Sequence, residues 1–208
     1  LEERVQPTVL VYIGKSGTGK SHHCYHDPDY QASGYKFPVQ QAGKVYIDGY
    51  DGESTIWFDE FGGSVLPFGI FLRLCDKLET LVETKGSSVC ITNLRKILIS
   101  TTTYPKNWWR DSRKYQEDPR QLWRRLTHVF YIPYIMLEYA EPIEIREPEY
   151  FGDEMAQELD RRAEERRRRR SRDAEVEGVG GDQSSDPVIV DHCSNDGTFR
   201  FRIVRCRQ

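Results

Sequence analysis

A chain of 208 residues with 38% hydrophobic and 12% aromatic content holds enough apolar mass for a core, while 30% charged residues leave part of it solvated. A formal net charge of −3 excludes a global basic field, so attraction for nucleic acid has to come from local clusters of Lys and Arg. Five cysteines, odd in number and without a CxxC pair, exclude a disulfide scaffold or zinc module and point to a reduced, intracellular protein.

No apolar run reaches the ~18 residues that a membrane span needs, and no signal-peptide pattern opens the chain. The first residue is Leu1, not Met, as in a segment of a longer protein. In chain order, residues 9–13 read as a strand leading into a Gly/Ser/Lys loop, with a helix able to begin after Ser21. Residues 54–58 form a second apolar run that ends in Asp59 and Glu60. Residues 68–81 carry Ile70, Phe71, Leu74, Leu78 and Leu81 at spacings of three and four, which predicts a helix with one buried stripe. Residues 96–100 and 129–132 supply two further strands. Near-continuous apolar strands suit a parallel sheet covered on both faces, so the fold class is α/β with a mostly parallel central sheet.

After Glu141 the character changes. Pro142 and Pro148 punctuate an acidic stretch, residues 153–172 form a highly charged helix, and residues 178–187 are a Gly/Ser/Asp linker. Two short β-like runs close the chain, too little for a core of their own. This places a domain over residues 1–140 and a charged, largely disordered C-terminal tail over 141–208. The run Arg166 to Arg170 is either a nuclear-import signal or nucleic-acid tether, or a solvated helix face balanced by Glu164 and Glu165.

Gly14, Lys15, Ser16, Gly17, Thr18, Gly19, Lys20 and Ser21 fill the pattern G-x-x-x-x-G-K-[ST] completely. The glycines let the backbone curl so that successive N–H groups face phosphate oxygens. In this pattern Lys20 supplies charge to the β- and γ-phosphates and the Ser21 hydroxyl is a ligand for Mg2+. A following helix adds its N-terminal dipole. Hydrolysis of ATP then requires one carboxylate to hold Mg2+ and another to orient and polarise water. Asp59 fits the metal role and Glu60 the general-base role. Neighbours on a strand face opposite sides, so both reach one site only where the strand twists into its loop.

Ser100 to Thr103 form a row of hydroxyls at the end of a strand, able to present a polar group to a γ-phosphate or simply to turn the chain before Pro105. Arg124 and Arg125, between apolar neighbours, could neutralise phosphate charge, although an arginine pair is as a rule a solvated face. His22, His23 and His26 share a helical turn, but no second ligand group sits nearby, and they read as ordinary surface or packing histidines.

Together these features, in this order, resemble the helicase domain of replication-initiator (Rep) proteins from small circular single-stranded DNA viruses, the circoviruses above all. That domain is a superfamily 3 helicase of the AAA+ class. The likeness runs from about residue 9 to 132 and includes residues 48–53, 72–76, 82–86 and 122–126. It implies a P-loop NTPase fold with Walker A at residues 14–21 and Walker B at 58–60. It makes Lys85, Gly86 and Ser87 part of a loop that grips single-stranded DNA in a ring channel, with Lys85 on a phosphate. Arg124 or Arg125 becomes the arginine finger of a neighbouring subunit. Thr102 stands where the family usually has an Asn that senses the γ-phosphate; its shorter hydroxyl implies slower hydrolysis or a divergent copy. The family's N-terminal nicking endonuclease is not visible, and the chain beyond residue 141 has no match.

The reading that follows is a homo-oligomeric, hexameric ring that uses Mg2+ and ATP to move on single-stranded DNA during rolling-circle replication, in a host nucleus and without a membrane. Two alternatives stand beside it: a P-loop NTPase not coupled to DNA, and a non-enzymatic, nucleotide-stabilised module that binds nucleic acid.

Overall fold

A computed structural model describes residues 5–38, 46–135 and 138–178, with two short strands at 188–190 and 202–204. The chain divides into two units, one ending at Glu165 and one beginning at Arg166. The first unit opens with strand β1 (Thr8–Ile13), helices α1 (Lys20–Tyr25) and α2 (Pro28–Ser33), and strands β2 (Gly34–Lys36) and β3 (Thr55–Phe58). Helix α3 (Phe68–Leu74), the hairpin of β4 (Thr80–Thr84) and β5 (Ser87–Ile91), and β6 (Lys96–Thr101) follow. Two short helices, α4 (Arg113–Glu117) and α5 (Arg120–Trp123), lead to β7 (His128–Tyr131) and β8 (Ile143–Glu144), and α6 (Asp153–Gly178) runs across the division.

The main sheet has the order β2-β3-β6-β1-β7-β8. Every pairing in it is parallel except β7 with β8. The α/β class and mostly parallel sheet expected from the apolar runs are therefore present. Strand β3 is buried at all four positions and β6 at all but its first, as strands covered on both faces should be. Strand β1 differs: Val9, Val11 and Ile13 are buried, whereas Thr8, Leu10 and Tyr12 are half-buried, because one of its faces meets only the smaller cluster around Cys24, Trp57 and Leu98.

The larger core lies on the opposite face, where Phe58, Phe61, Phe71, Trp108 and Trp109 pack with the β1 and β6 aliphatics. Each such side chain contributes on the order of 2 kcal/mol by leaving water.

The helix expected over residues 68–81 stops at Leu74. Thr80 is the physical reason: its hydroxyl donates to the Arg73 carbonyl at 3.0 Å, taking one of the helix-end acceptors, and the chain turns into β4. Leu78 and Leu81, assigned to the stripe by spacing, are 55% and 63% exposed.

The first unit also continues past residue 140. Phe151 is 1% exposed against Tyr104 and Tyr131, Ala156 is buried, and Leu159 packs against the same cluster. Residues 143–160 belong to the first unit: Phe151, Ala156 and Leu159 pack on its core, and the Asp153 and Asp160 carboxylates accept from Tyr104 and Tyr131. In the second unit β9 (Val188–Val190) and β10 (Arg202–Val204) pair antiparallel, matching the β-like runs in the sequence.

Candidate active site

Parallel register brings the carboxyl ends of three strands together. Ile13 lies opposite Thr101, and Phe58 opposite Ile99, so the glycine-rich loop after β1, the acid pair after β3 and the hydroxyls of β6 emerge on one edge. Ligands of open α/β sheets bind at such an edge.

At its centre is Asp59. Its Oδ1 accepts hydrogen bonds from the Ser21 hydroxyl at 2.8 Å and the Ser100 hydroxyl at 2.7 Å, while Oδ2 accepts from Lys36 Nζ at 2.7 Å. Ser100 in turn accepts from the Trp57 indole at 3.0 Å, and the Lys36 ammonium lies 4.2 Å from the Trp57 ring centroid. Burial alone would raise the Asp59 carboxyl, but the hydrogen bonds from Lys36, Ser100 and Ser21 and the Lys36 charge outweigh it and hold the group below its ordinary value.

Lys36 and Ser100 are partners that the motif pattern missed. Lys36 carries no motif. Ser100 is the first of the four hydroxyls in the β6 row, and that row is the signal that could have found it.

Lys20, at the start of α1, is buried. Its ammonium donates to the Lys15 carbonyl at 2.8 Å, and the Thr18 hydroxyl donates to the same oxygen at 3.0 Å. Burial lowers the Lys20 pKa, opposed by the charges of Glu60 and Asp59, so both acids act on this ammonium. Gly19, at φ 90, takes the left-handed conformation that a side chain resists, and a Cβ there would also meet the Tyr139 ring at 2.9 Å. At Gly14 a Cβ would meet the Thr18 hydroxyl at 2.7 Å and the Ile132 carbonyl at 2.8 Å. Glycine leaves the loop's backbone free to close on itself.

Strand β3 ends at Phe58, and Glu60 adopts φ 50 in the turn that follows. Asp59 and Glu60 thus lie in the turn after β3 and not on the strand itself, and the left-handed Glu60 costs about 1–3 kcal/mol.

Thr102 is exposed just past β6 and lines a cavity of about 280 Å³ with Gly14, Lys15 and Ser16. It is Ser100, not Thr102, that touches Asp59.

Arg125 is committed within its own fold: it donates to the Leu72 and Gln121 carbonyls at 3.2 and 3.0 Å and pairs with Asp76 at 3.0 Å. Arg124, at the end of α5, is at the surface. Lys85 and Gly86 form the two-residue tip between β4 and β5, with Gly86 at φ 88 and Ser87 opposite Thr84. The Lys85 side chain is 77% exposed, with its ammonium 3.6 Å from Asp48. His22 and His26 lie with ring centroids 4.3 Å apart, and among the described residues no group of three or more His, Cys, Asp or Glu could hold a metal ion.

Sequence comparison relates the chain to viral replication proteins. It is 34% identical over 134 residues to the replication-associated protein of beak and feather disease virus, covering 64% of this chain and 42% of that protein. It is 34% identical over 123 residues to that of porcine circovirus 2, covering 59% and 37%, and 32% identical over 119 residues to that of goose circovirus, covering 57% and 36%. The chain thus spans less than half the length of these relatives. No protein-family model matches it.

Proposed function

We propose that this chain is the ATP-hydrolysing helicase domain of a viral replication-initiator protein, a P-loop NTPase that assembles as a hexameric ring and moves on single-stranded DNA in a host nucleus. One observation carries the reading: Ser21 and Asp59, from opposite ends of the motif pair, share a hydrogen bond of 2.8 Å beside the buried Lys20. The likeness to circovirus replication-associated proteins supports the biological setting.

The residues suit Mg-ATP. A hydroxyl and a carboxylate in contact are the hard oxygen donors that magnesium takes, in a site where water fills the remaining positions. The glycine loop leaves room for phosphate close to backbone amides. Ser21 and Asp59 would hold the metal, which when bound neutralises charge on the phosphate oxygens.

Lys20 can exchange the Lys15 carbonyl for a phosphate oxygen and stabilise the charge that develops there. Glu60 accepts a proton from the attacking water as the water oxygen bonds to the γ-phosphorus and the bond to the ADP oxygen breaks. Thr102, at the loop's entrance, is the hydroxyl available to report the γ-phosphate. Arg124 is the surface guanidinium that a neighbouring subunit could receive, and Lys85 presents a cation at a hairpin tip for DNA.

Steady-state ATP turnover with and without single-stranded DNA tests the proposal. DNA should stimulate turnover, and Lys20→Ala should reduce it by on the order of a hundredfold or more. Turnover that ignores DNA would mean an uncoupled NTPase, and nucleotide binding without turnover a non-enzymatic module.

A further inference from the structure

The segment past residue 150 brings a carboxylate to the glycine-rich loop. Asp160, two turns into α6, stands among three donors from separate places. Lys15 Nζ lies 2.9 Å from Oδ2, and the Tyr131 hydroxyl and the Tyr134 backbone N–H each lie 2.9 Å from Oδ1. The Asp160 side chain is only 15% exposed. Lys15 is further held 5.7 Å from the Tyr134 ring centroid. On the same face of α6, Asp153 accepts from the Tyr104 hydroxyl at 2.9 Å. Asp153, Gln157 and Asp160 wall the cavity that Gly14, Lys15 and Thr102 line from the other side.

One helix therefore ties together the ends of β1, β6 and β7. We infer that Asp160 is a positioning residue of the nucleotide site: it pins Lys15 and so holds the entrance of the loop ready for phosphate. The inference rests on the nucleotide reading above.

Glycine-rich backbone is conformationally free, and ordering left until binding weakens affinity. The Lys15 carbonyl is the acceptor on which Lys20 and Thr18 converge, so anchoring Lys15 fixes the loop's internal bonds as well. The Lys15 ammonium neutralises the carboxylate beside what is otherwise an anion site. The opposing expectation is that a bare acid here repels phosphate, in which case its removal would tighten binding.

The experiment uses the full chain. Asp160→Asn keeps the shape and one acceptor but removes the charge. It should speed hydrogen exchange at the amides of residues 14–20 without nucleotide. It should also weaken Mg-ATP binding about tenfold, the worth of one charge-assisted hydrogen bond. Turnover at saturating ATP should stay within about twofold, so the effect appears in KM rather than kcat. Tyr131→Phe, which removes a donor to the same carboxylate, should shift loop exchange the same way by less, and it decides the matter if Asp160→Asn does not fold.

Unchanged loop exchange overturns the inference, even with a lowered Tm, because a merely structural contact would leave the loop alone. Tighter Mg-ATP binding in Asp160→Asn overturns it too. A wild-type chain that binds no Mg-ATP sinks the nucleotide reading instead, while loop exchange still judges the Asp160 contact.

Discussion

Lys36 on β2 donates to the second oxygen of Asp59 at 2.7 Å, so the carboxylate that faces Ser21 is held from behind by a cation. This pairing has a consequence in acid. The folded Asp59 pKa lies below its ordinary value, so the unfolded chain binds a proton there first as pH falls. The stability it contributes is fully present above the ordinary carboxylate pKa of about 3.9 and disappears as pH drops through the lower folded value. Melting temperatures followed from pH 6 to pH 2.5 should fall less steeply in Asp59→Asn than in wild type. Parallel curves would refute this account of the site's electrostatics.

The two neighbouring arginines should separate cleanly. Arg125→Ala leaves Asp76 without that ion pair and two carbonyls without that donor, and should cost about 1–3 kcal/mol of stability. Arg124→Ala should change stability by no more than about 0.5 kcal/mol, yet lower ATP turnover at protein concentrations where subunits associate. Chemical denaturation and turnover against protein concentration distinguish them; equal destabilisation by both would contradict the assignment.

At the hairpin tip, Lys85→Ala should weaken single-stranded DNA binding while leaving nucleotide affinity unchanged. The slope of log affinity against log salt should fall by about 0.7, one phosphate contact on a single strand. A DNA titration at several salt concentrations that returns the wild-type slope removes Lys85 from the interface.

Phe151 tests where the first unit ends. Its ring is sealed between Tyr104 and Tyr131, so Phe151→Ala should cost about 3–5 kcal/mol. Urea unfolding with a change under about 1 kcal/mol would return residues 141–165 to the status of a tail.

Much of the arrangement is legible in the amino-acid sequence. The glycine pattern of residues 14–21, the acids after an apolar run and the strands at 96–100 and 129–132 are local signals, because glycine conformation and apolar runs act over a few residues. The same kind of signal misleads where local spacing meets a tertiary contact. Leu78 and Leu81 continue a helical period, but Thr80 binds the Arg73 carbonyl and the chain leaves the helix. Residues 141–160 look charged and solvated, but Phe151 and Ala156, two apolar positions among many polar ones, face the core.

The sequence by itself determined the chemistry on offer: a glycine-rich loop ending in Lys20 and Ser21, a pair of acids, a cation at a tight turn and two arginines. Tertiary structure decided which groups meet. That Asp59 is held by Ser100 and Lys36, that Arg125 is occupied while Arg124 stays at the surface, and that Asp160 reaches Lys15 across 145 residues all depend on strand register and helix docking. Those contacts join positions far apart in the chain, and periodicity along a single segment carries no information about which distant segment lies beside it.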